Sequence, residues 1–476
     1  MATTSKHRST ILDLPLAAMP ESRGPAPVHA SLRAAIIGGR LPAGSRLPST
    51  RELSRQLSVR RNVIVGAYER LLVDGLVETR IGDGTYVASR LPPPVARATT
   101  PAIQVNTPSR HAFALGQTYV DPVLLRRLAT ATRRRVALAM PADVGYGDPR
   151  GSEALRSAVA SYLRASRGVI CDPDCILIVS GTQQGVRLCA DALLEPGDRV
   201  WVEDPGYRVT QRTLLAARMH LIPVPVDAAG IDVVRGRKVG RSAKAAYVTP
   251  THQFPTGVTM TMERRVALLD WAHEAKAWVL EDDYDSEFRY DGPPLTALAG
   301  IDGSDRVIYL GTFTKTLFAG LRLAYAVVPR AVLDRVMAAR AAHDRFPSCF
   351  MERAVSDLMA DGTLAAHIRR MRTRYKNARD MTAQTLTQAA GGALQLRVPT
   401  QGLHMVAYLP PGLPTGAAER IRADADVQAW LLSETRIQRS RVDGFILGFA
   451  GHDVHELTAA ASRLGNATRS FLAKAR

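Results

Sequence analysis

Residues 89–110, SRLPPPVARATTPAIQVNTPSR, hold five prolines, no glycine and no sustained apolar period. Neither a helix nor a paired strand runs easily through such a stretch, so it reads as a semi-extended linker. At ~3.1 Å per residue in polyproline form it reaches up to roughly 65 Å. It leaves a tail over 1–24, a small unit over 25–88 and a large unit over 111–476. A chain of 476 residues with 46% hydrophobic side chains has material for two or three compact units and is not mainly disordered. No apolar run approaches the ~18 residues that span a bilayer, and Ile11–Leu16 is broken by Asp13 and Pro15. The expectation is a cytoplasmic protein with no membrane partner. Cys171 and Cys175 have no His or Cys pair nearby, so all four cysteines read as ordinary thiols and no metal site is expected.

Charge adds a direction. Lys and Arg number 62 against 44 Asp and Glu, a net of +18. The first 90 residues carry thirteen basic and seven acidic side chains, about twice the net charge density of the rest. Within 40–61 lie Arg40, Arg46, Arg51, Arg55, Arg60 and Arg61, with Glu52 as the one acid. A basic cluster of this kind suits a polyanion, because neutralised phosphates release counterions on binding.

The local pattern of the small unit is specific. Val28–Ile37 has helical spacing and stops at Gly38-Gly39. Ser49 and Glu52 form a capping box that starts a second helix, ending near Leu57. A third helix, over Arg60–Asp74, puts Ile64, Ala67, Tyr68, Leu71 and Leu72 on one face. Leu76–Arg80 and Thr85–Val87 flank Gly82-Asp83-Gly84, a hairpin. Three helices and a hairpin make a winged helix-turn-helix, whose third helix offers Arg60, Arg61 and Asn62 to a major groove. The run LPSTRELSRQLSVRRNVIVGAYERLLVDGLV resembles the DNA-binding domain of GntR-type bacterial transcription regulators. The resemblance implies DNA contacts by Arg51, Arg60, Arg61, Asn62 and Gly82, with Arg46 and Ser49 completing the candidate set. Val63 and Val65 depart from the polar residues common at those family positions.

The large unit alternates strand-like runs (176–179, 199–202, 245–248, 278–280, 307–310, 323–328) with helix-length stretches, which predicts an α/β fold around a mostly parallel sheet. Ligands of such sheets bind at the carboxyl ends of the strands. Four polar segments fall there. Ser180-Gly181-Thr182 stands at a strand-to-helix turn suited to a phosphate. Tyr207 closes Glu203–Tyr207 and can stack on a planar ring. The acidic run Glu281–Glu287 contains Asp282 and Tyr284; it reads either as a hard-cation site or as a carboxylate holding a ring nitrogen protonated. Lys315 sits between hydroxyls, with Thr312 before it and Arg322 seven residues on, a setting that makes a desolvated lysine nucleophilic toward aldehydes.

An aldehyde, a pyridine nitrogen and a phosphate in one pocket describe pyridoxal 5′-phosphate (PLP). The four segments resemble fold-type I PLP-dependent aminotransferases over roughly 111–450. That resemblance implies Lys315 as the Schiff-base lysine, Asp282 as the pyridine-nitrogen partner, Tyr284 beside the ring oxygen and Tyr207 as the stacking ring. It makes Ser180, Gly181, Thr182, Thr312 and Arg322 phosphate ligands. Tyr146, in GYGDPRG, matches a tyrosine that reaches the phosphate of a neighbouring subunit, which implies a homodimer.

A GntR-type domain joined to an aminotransferase-like domain is the architecture of the MocR subfamily, whose segments GYGDPRG, HQFPTG and EDDYDSEF resemble closely. The implied function is a PLP-dependent, DNA-binding transcription regulator. It would bind promoter DNA, associate with the nucleoid and sense PLP or an amine or amino-acid effector through the Lys315 Schiff base. The competing reading is an aminotransferase with a vestigial DNA module. Two departures favour the regulator. Phe254 stands where aminotransferases carry the Asn of Asn-Pro-Thr-Gly, with His252 or Gln253 as candidate substitutes. Ile446 stands where they carry the arginine that clamps a substrate carboxylate, a charge-assisted contact worth ~1.5–3 kcal/mol. Arg208, Arg439 and Arg441 are the candidate replacements.

Overall fold

The computed structural model describes residues 24–90, 111–140, 144–345 and 347–475. The tail before Gly24 and positions 91–110 of the expected linker lie outside them. The chain falls into two compact units, 1–106 and 107–476.

In the small unit, α1 (Pro25–Ile37), α2 (Thr50–Gln56) and α3 (Arg61–Val73) precede a hairpin of β1 (Val77–Arg80) and β2 (Gly84–Val87). Ser49 caps α2, its Oγ accepting from Glu52 N at 3.2 Å, a contact worth ~1 kcal/mol. Leu32, Ile36, Leu53, Ile64, Leu71 and Val87 are fully buried together. This periodic apolar core fixes the three helices as the sequence predicts, except that Leu72, expected on the same face as Leu71, turns outward at 48% exposure because the helical turn carries it past the core. The turn between β1 and β2 uses Gly82 at φ +79 and Gly84 at φ +131, backbone that side chains rarely adopt.

The large unit is built on a sheet of β3 (Ile176–Val179), β4 (Arg199–Asp204), β5 (His220–Asp227), β6 (Gly230–Ile231), β7 (Ala245–Val248), β8 (Trp278–Asp283), β9 (Val307–Thr312) and β10 (Ala324–Val327). Its order is β3-β10-β9-β8-β7-β4-β5-β6. The pairs β9-β8, β8-β7, β7-β4 and β4-β5 are parallel, whereas β10 is antiparallel to both β3 and β9. Both faces are covered. On β3, for instance, Leu177 and Val179 join one core while Ile176 and Ile178 join another. Such two-sided burial explains why these strands read as continuous apolar runs.

A second, antiparallel sheet follows, β11 (Gln395–Arg397), β12 (His404–Tyr408), β13 (Trp430–Leu431) and β14 (Gly444–Gly448), ordered β11-β12-β14-β13. Met405, Ala407, Phe445 and Leu447 turn one face of it into a core shared with the helices Thr363–Ala390 and Val454–Ala475. By strand alternation, His404, Val406 and Ile446 lie on the other face. No described helix is long and apolar enough to cross a membrane.

Candidate functional site

Because β3, β4, β7, β8 and β9 run the same way, the segments that follow them collect at one edge of the sheet. A cavity of about 220 Å³ opens there. Gly181, Thr182, Tyr207, Asp282, Tyr284, Thr312, Lys315 and Arg322 all line it. Ser180, expected in the same set, does not, and Tyr146, expected at a neighbouring subunit's phosphate, stands apart from it. Ser180 stands behind the turn with its backbone N–H on Gln184 Oε1 at 2.7 Å. Tyr146 is 78% exposed, its ring 4.6 Å beneath the Arg345 guanidinium.

Each lining group carries a physical signature. Asp282, next to last on β8, is almost fully buried, and its Oδ2 accepts from Tyr247 Oη at 2.6 Å. Its Oδ1 is buried with no hydrogen-bond partner among the described residues. Burial pushes the carboxyl up to about 7, the Tyr247 hydrogen bond opposes this, and the charge of Asp283 adds to it. A ring N–H⁺ is the partner such an oxygen lacks. Burial holds the Lys315 ammonium below the usual lysine range, against the pull of Asp285 and Asp282. Arg322, in left-handed backbone at φ +52, has no carboxylate partner among the described residues. A Cβ added at Gly181 would lie 3.1 Å from its guanidinium. That close approach needs glycine and leaves the N-terminus of the helix Thr182–Leu193 facing an unpaired cation, a cradle for a dianion. These residues fit PLP.

The acidic run is dispersed rather than clustered. Glu281 accepts from the N–H groups of Leu298 and Ala299 at 2.8 and 2.9 Å. Asp283 pairs with Arg167 at 2.7 Å and accepts from Tyr309 and Ser286. Glu287 accepts from Tyr162 at 2.9 Å. Successive side chains turn to different neighbours, which removes the hard-cation reading of this run.

The proposed substitutes also resolve. Gln253 is buried and bonded to Glu203, Pro205 and Thr256, so it is turned away from the cavity. His252 bonds to Asp285 and Tyr284 rather than lining the wall. Phe254 itself is on the wall, 5.3 Å from the Tyr207 ring in an edge-to-face pair. Ile446 is fully buried opposite Trp430, and Trp430 and His404 line the cavity. Arg208, Arg439 and Arg441 are absent from its lining, and Arg208 donates to the Glu434 carbonyl at 2.8 Å.

In the small unit, Arg51, Arg60, Arg61 and Asn62 are exposed at one edge. Arg61 Nε donates to Thr50 Oγ1 at 3.3 Å. Gly82 is at the exposed tip of the hairpin. Arg46 and Ser49 are engaged within the fold: Arg46 donates to the Asp83 carbonyl and braces the hairpin, and Ser49 is the helix cap. Val63 and Val65 are half-buried, and Val63 packs on the core, which explains why it is not polar.

Comparison with known proteins agrees with this geometry. Residues 26–87 match "Bacterial regulatory proteins, gntR family", and 113–464 match "Aminotransferase class I and II". The probable rhizopine catabolism regulatory protein MocR of Rhizobium meliloti is 34% identical over 445 residues, covering 90% of each chain. The chain belongs to the MocR subfamily of GntR-type regulators. The HTH-type pyridoxine biosynthesis transcriptional regulator PdxR of Corynebacterium glutamicum is 29% identical over 466 residues, covering 96% of this chain and 99% of that one. Among solved structures, a Pyrococcus horikoshii kynurenine aminotransferase superposes with a TM-score of 0.70 at 27% identity, over 76% of this chain and 91% of that one. This MocR-type protein is thus a DNA-binding transcription regulator, and its cofactor is PLP.

Several wall residues of this MocR-type domain escape sequence reasoning. Tyr247 lies inside a buried strand and reads there as apolar filler. His404 and Trp430 come from the second sheet, Leu403 from the residue just before it, and Gly116 from a loop about 200 residues before Lys315. A Cβ at Gly116 would stand 3.5 Å from Lys315 Nζ. Only tertiary packing brings these positions together.

Proposed function

We propose that this regulator senses PLP, or an amine or amino-acid effector that meets it, through Lys315, and that it does so as a regulator and not as a turnover enzyme. In this reading 25–88 is the DNA-binding domain, 89–110 the linker and 111–476 the effector domain. The protein works as a cytoplasmic, nucleoid-associated homodimer on promoter DNA, with Tyr146 reaching the neighbouring subunit's phosphate site. One observation carries the reading: among the described residues, Lys315, the unpaired Asp282 oxygen and Arg322 line one cavity whose wall also carries Phe254 and Trp430, with the apolar Ile446 paired to Trp430 in the second sheet.

Bound PLP supplies an aldehyde that condenses with amines and a ring that withdraws electrons. The chain supplies the rest. Lys315, its ammonium destabilised by burial, presents a neutral amine more readily than a surface lysine. Asp282 would keep a proton on the ring nitrogen, Tyr207 would stack on the ring, and Tyr284 would donate to the ring oxygen. Arg322, Thr312, Thr182 and the Gly181 turn hold the phosphate. Among the described residues no arginine but Arg322 lines the cavity to orient an α-carboxylate, and transamination depends on that orientation. Arg51, Arg60, Arg61, Asn62 and Gly82 meet DNA, with Arg46 and Ser49 shaping the surface they share.

The test is a gel shift on the protein's own upstream region with and without PLP, alongside borohydride trapping. Retention of PLP on the Lys315 peptide together with a PLP-dependent shift is the expected result. A colourless protein whose DNA binding ignores PLP would overturn the reading. The intact ring and phosphate groups support a second reading, an aminotransferase with a DNA module. Steady-state turnover across an amino-acid panel would promote it.

A further inference from the structure

His252 and Asp285 have no part in the function above, yet they form a closed chain behind it. His252 Nδ1 lies 3.0 and 3.1 Å from the two Asp285 oxygens and 3.1 Å from Tyr284 Oη. Both His252 and Asp285 are buried, at 2% and 1% exposure. The imidazole has no freedom to turn. A Cβ at Gly402 would lie 1.9 Å from its Cε1, so the glycine backbone packs directly on the ring, and the His404 ring sits 4.9 Å away.

The proton inventory of this chain has one good solution. An ionised carboxylate accepts only, so the imidazole nitrogen facing Asp285 must carry a hydrogen. A protonated Nδ1 cannot accept from Tyr284. The phenol oxygen therefore faces a donor, and its own hydrogen must point elsewhere. The other polar groups about Tyr284 are Asp282 on β8, Tyr247 on β7, Glu203 on β4, His404 on β12 and Lys315 after β9, and none is bonded to its oxygen. What remains is the cavity. His252 Nε2 is then a buried lone pair, and among the described residues it has no hydrogen-bond partner.

We infer that His252, locked on Asp285, is a positioning residue that forces the Tyr284 hydroxyl to donate into the cofactor cavity. A hydroxyl oriented this way is matched to an acceptor with no proton of its own, the deprotonated ring oxygen of PLP. With Phe254 at the place of the usual amide, Tyr284 carries the whole of that recognition. The inference rests on the placement of Tyr284 beside the cofactor proposed above.

Two measurements test it. In ¹⁵N-histidine-labelled protein stripped of PLP, the signals lost on His252→Asn are expected to report a Nδ1–H tautomer. A Nε2–H tautomer at His252 would overturn the inference, and this result does not depend on whether PLP binds. The second is a double-mutant cycle on PLP dissociation. Tyr284→Phe and His252→Leu should each weaken binding about tenfold, and the double variant should lie within about threefold of either single. His252→Asn keeps an N–H where Nδ1 stood and should stay within about threefold of the unmodified protein. Multiplying effects, near a hundredfold in the double variant, would mean that His252 acts independently of Tyr284. Unmodified protein that binds no PLP would instead sink the proposed function and leave the tautomer result standing.

Discussion

The two candidate sites of this chain solve opposite electrostatic problems. On the small unit the arginines that face outward, Arg51, Arg60 and Arg61, are exposed and largely unpartnered. In the cavity the charged groups are withdrawn from water: Asp282 is pushed up to about 7 and Lys315 is pulled down, both chiefly by burial. Solvated charges attract a polyanion through long-range forces that salt screens; desolvated ones recognise a single small molecule through short contacts that salt barely touches. One chain thus carries a salt-sensitive recognition surface and a pH-sensitive one, and the two can be perturbed separately.

The largest expected effect falls on the cavity. Lys315→Ala should abolish borohydride-trapped PLP altogether, as read by peptide mass, and leave PLP-independent DNA affinity in place. Next comes salt. If six or more phosphates are contacted, raising it from about 50 to 200 mM should weaken operator binding ~10³-fold or more, against about twofold for PLP. Similar slopes for both ligands would erase the contrast. Asp282→Ala should raise the PLP dissociation constant about a hundredfold by removing a charge-assisted bond worth up to ~3 kcal/mol, measured by absorbance titration. Arg61→Ala should cost about tenfold in operator affinity and lower the salt slope by roughly one.

The smallest effect is on heat stability. The Asp282 carboxyl holds its proton up to about pH 7 when folded and to near its ordinary 3.8 when unfolded. The folded state therefore binds the extra proton between these values, and stability falls as pH rises through that window. Asp282→Asn removes this component. Without PLP, its unfolding midpoint should fall less between pH 5 and 8, by about 2 °C.

The two units also differ in how far they can be read from sequence. In the small unit every signal is local: the Ser49–Glu52 box, the Ile64–Leu71 face and the paired glycines at 82 and 84 each specify their own segment. In the large unit the strands announce themselves by apolar runs, and Lys315, Asp282 and Arg322 by unusual residues at strand ends. The antiparallel course of β10 has no such marker, since a four-residue apolar strand looks alike in either direction. Nor does the wall formed by His404 and Trp430, which the second sheet contributes across more than a hundred residues. Ser180, expected among the phosphate ligands, is not on the cavity wall, and its amide is taken by Gln184 one helical turn on.

The reversed strand β10 has one more consequence. Ala324 pairs with Val179 on one side and Thr312 on the other, so β10 begins where its neighbours finish. Arg322 enters the cavity on the way into a strand, while Lys315 arrives on the way out of one. The loop from 313 to 323 therefore acts as a caliper, its length setting the gap between the two cations. Lengthening or shortening it by one residue would leave both side chains intact and still spoil the fit, a lesion no survey of individual positions would reveal.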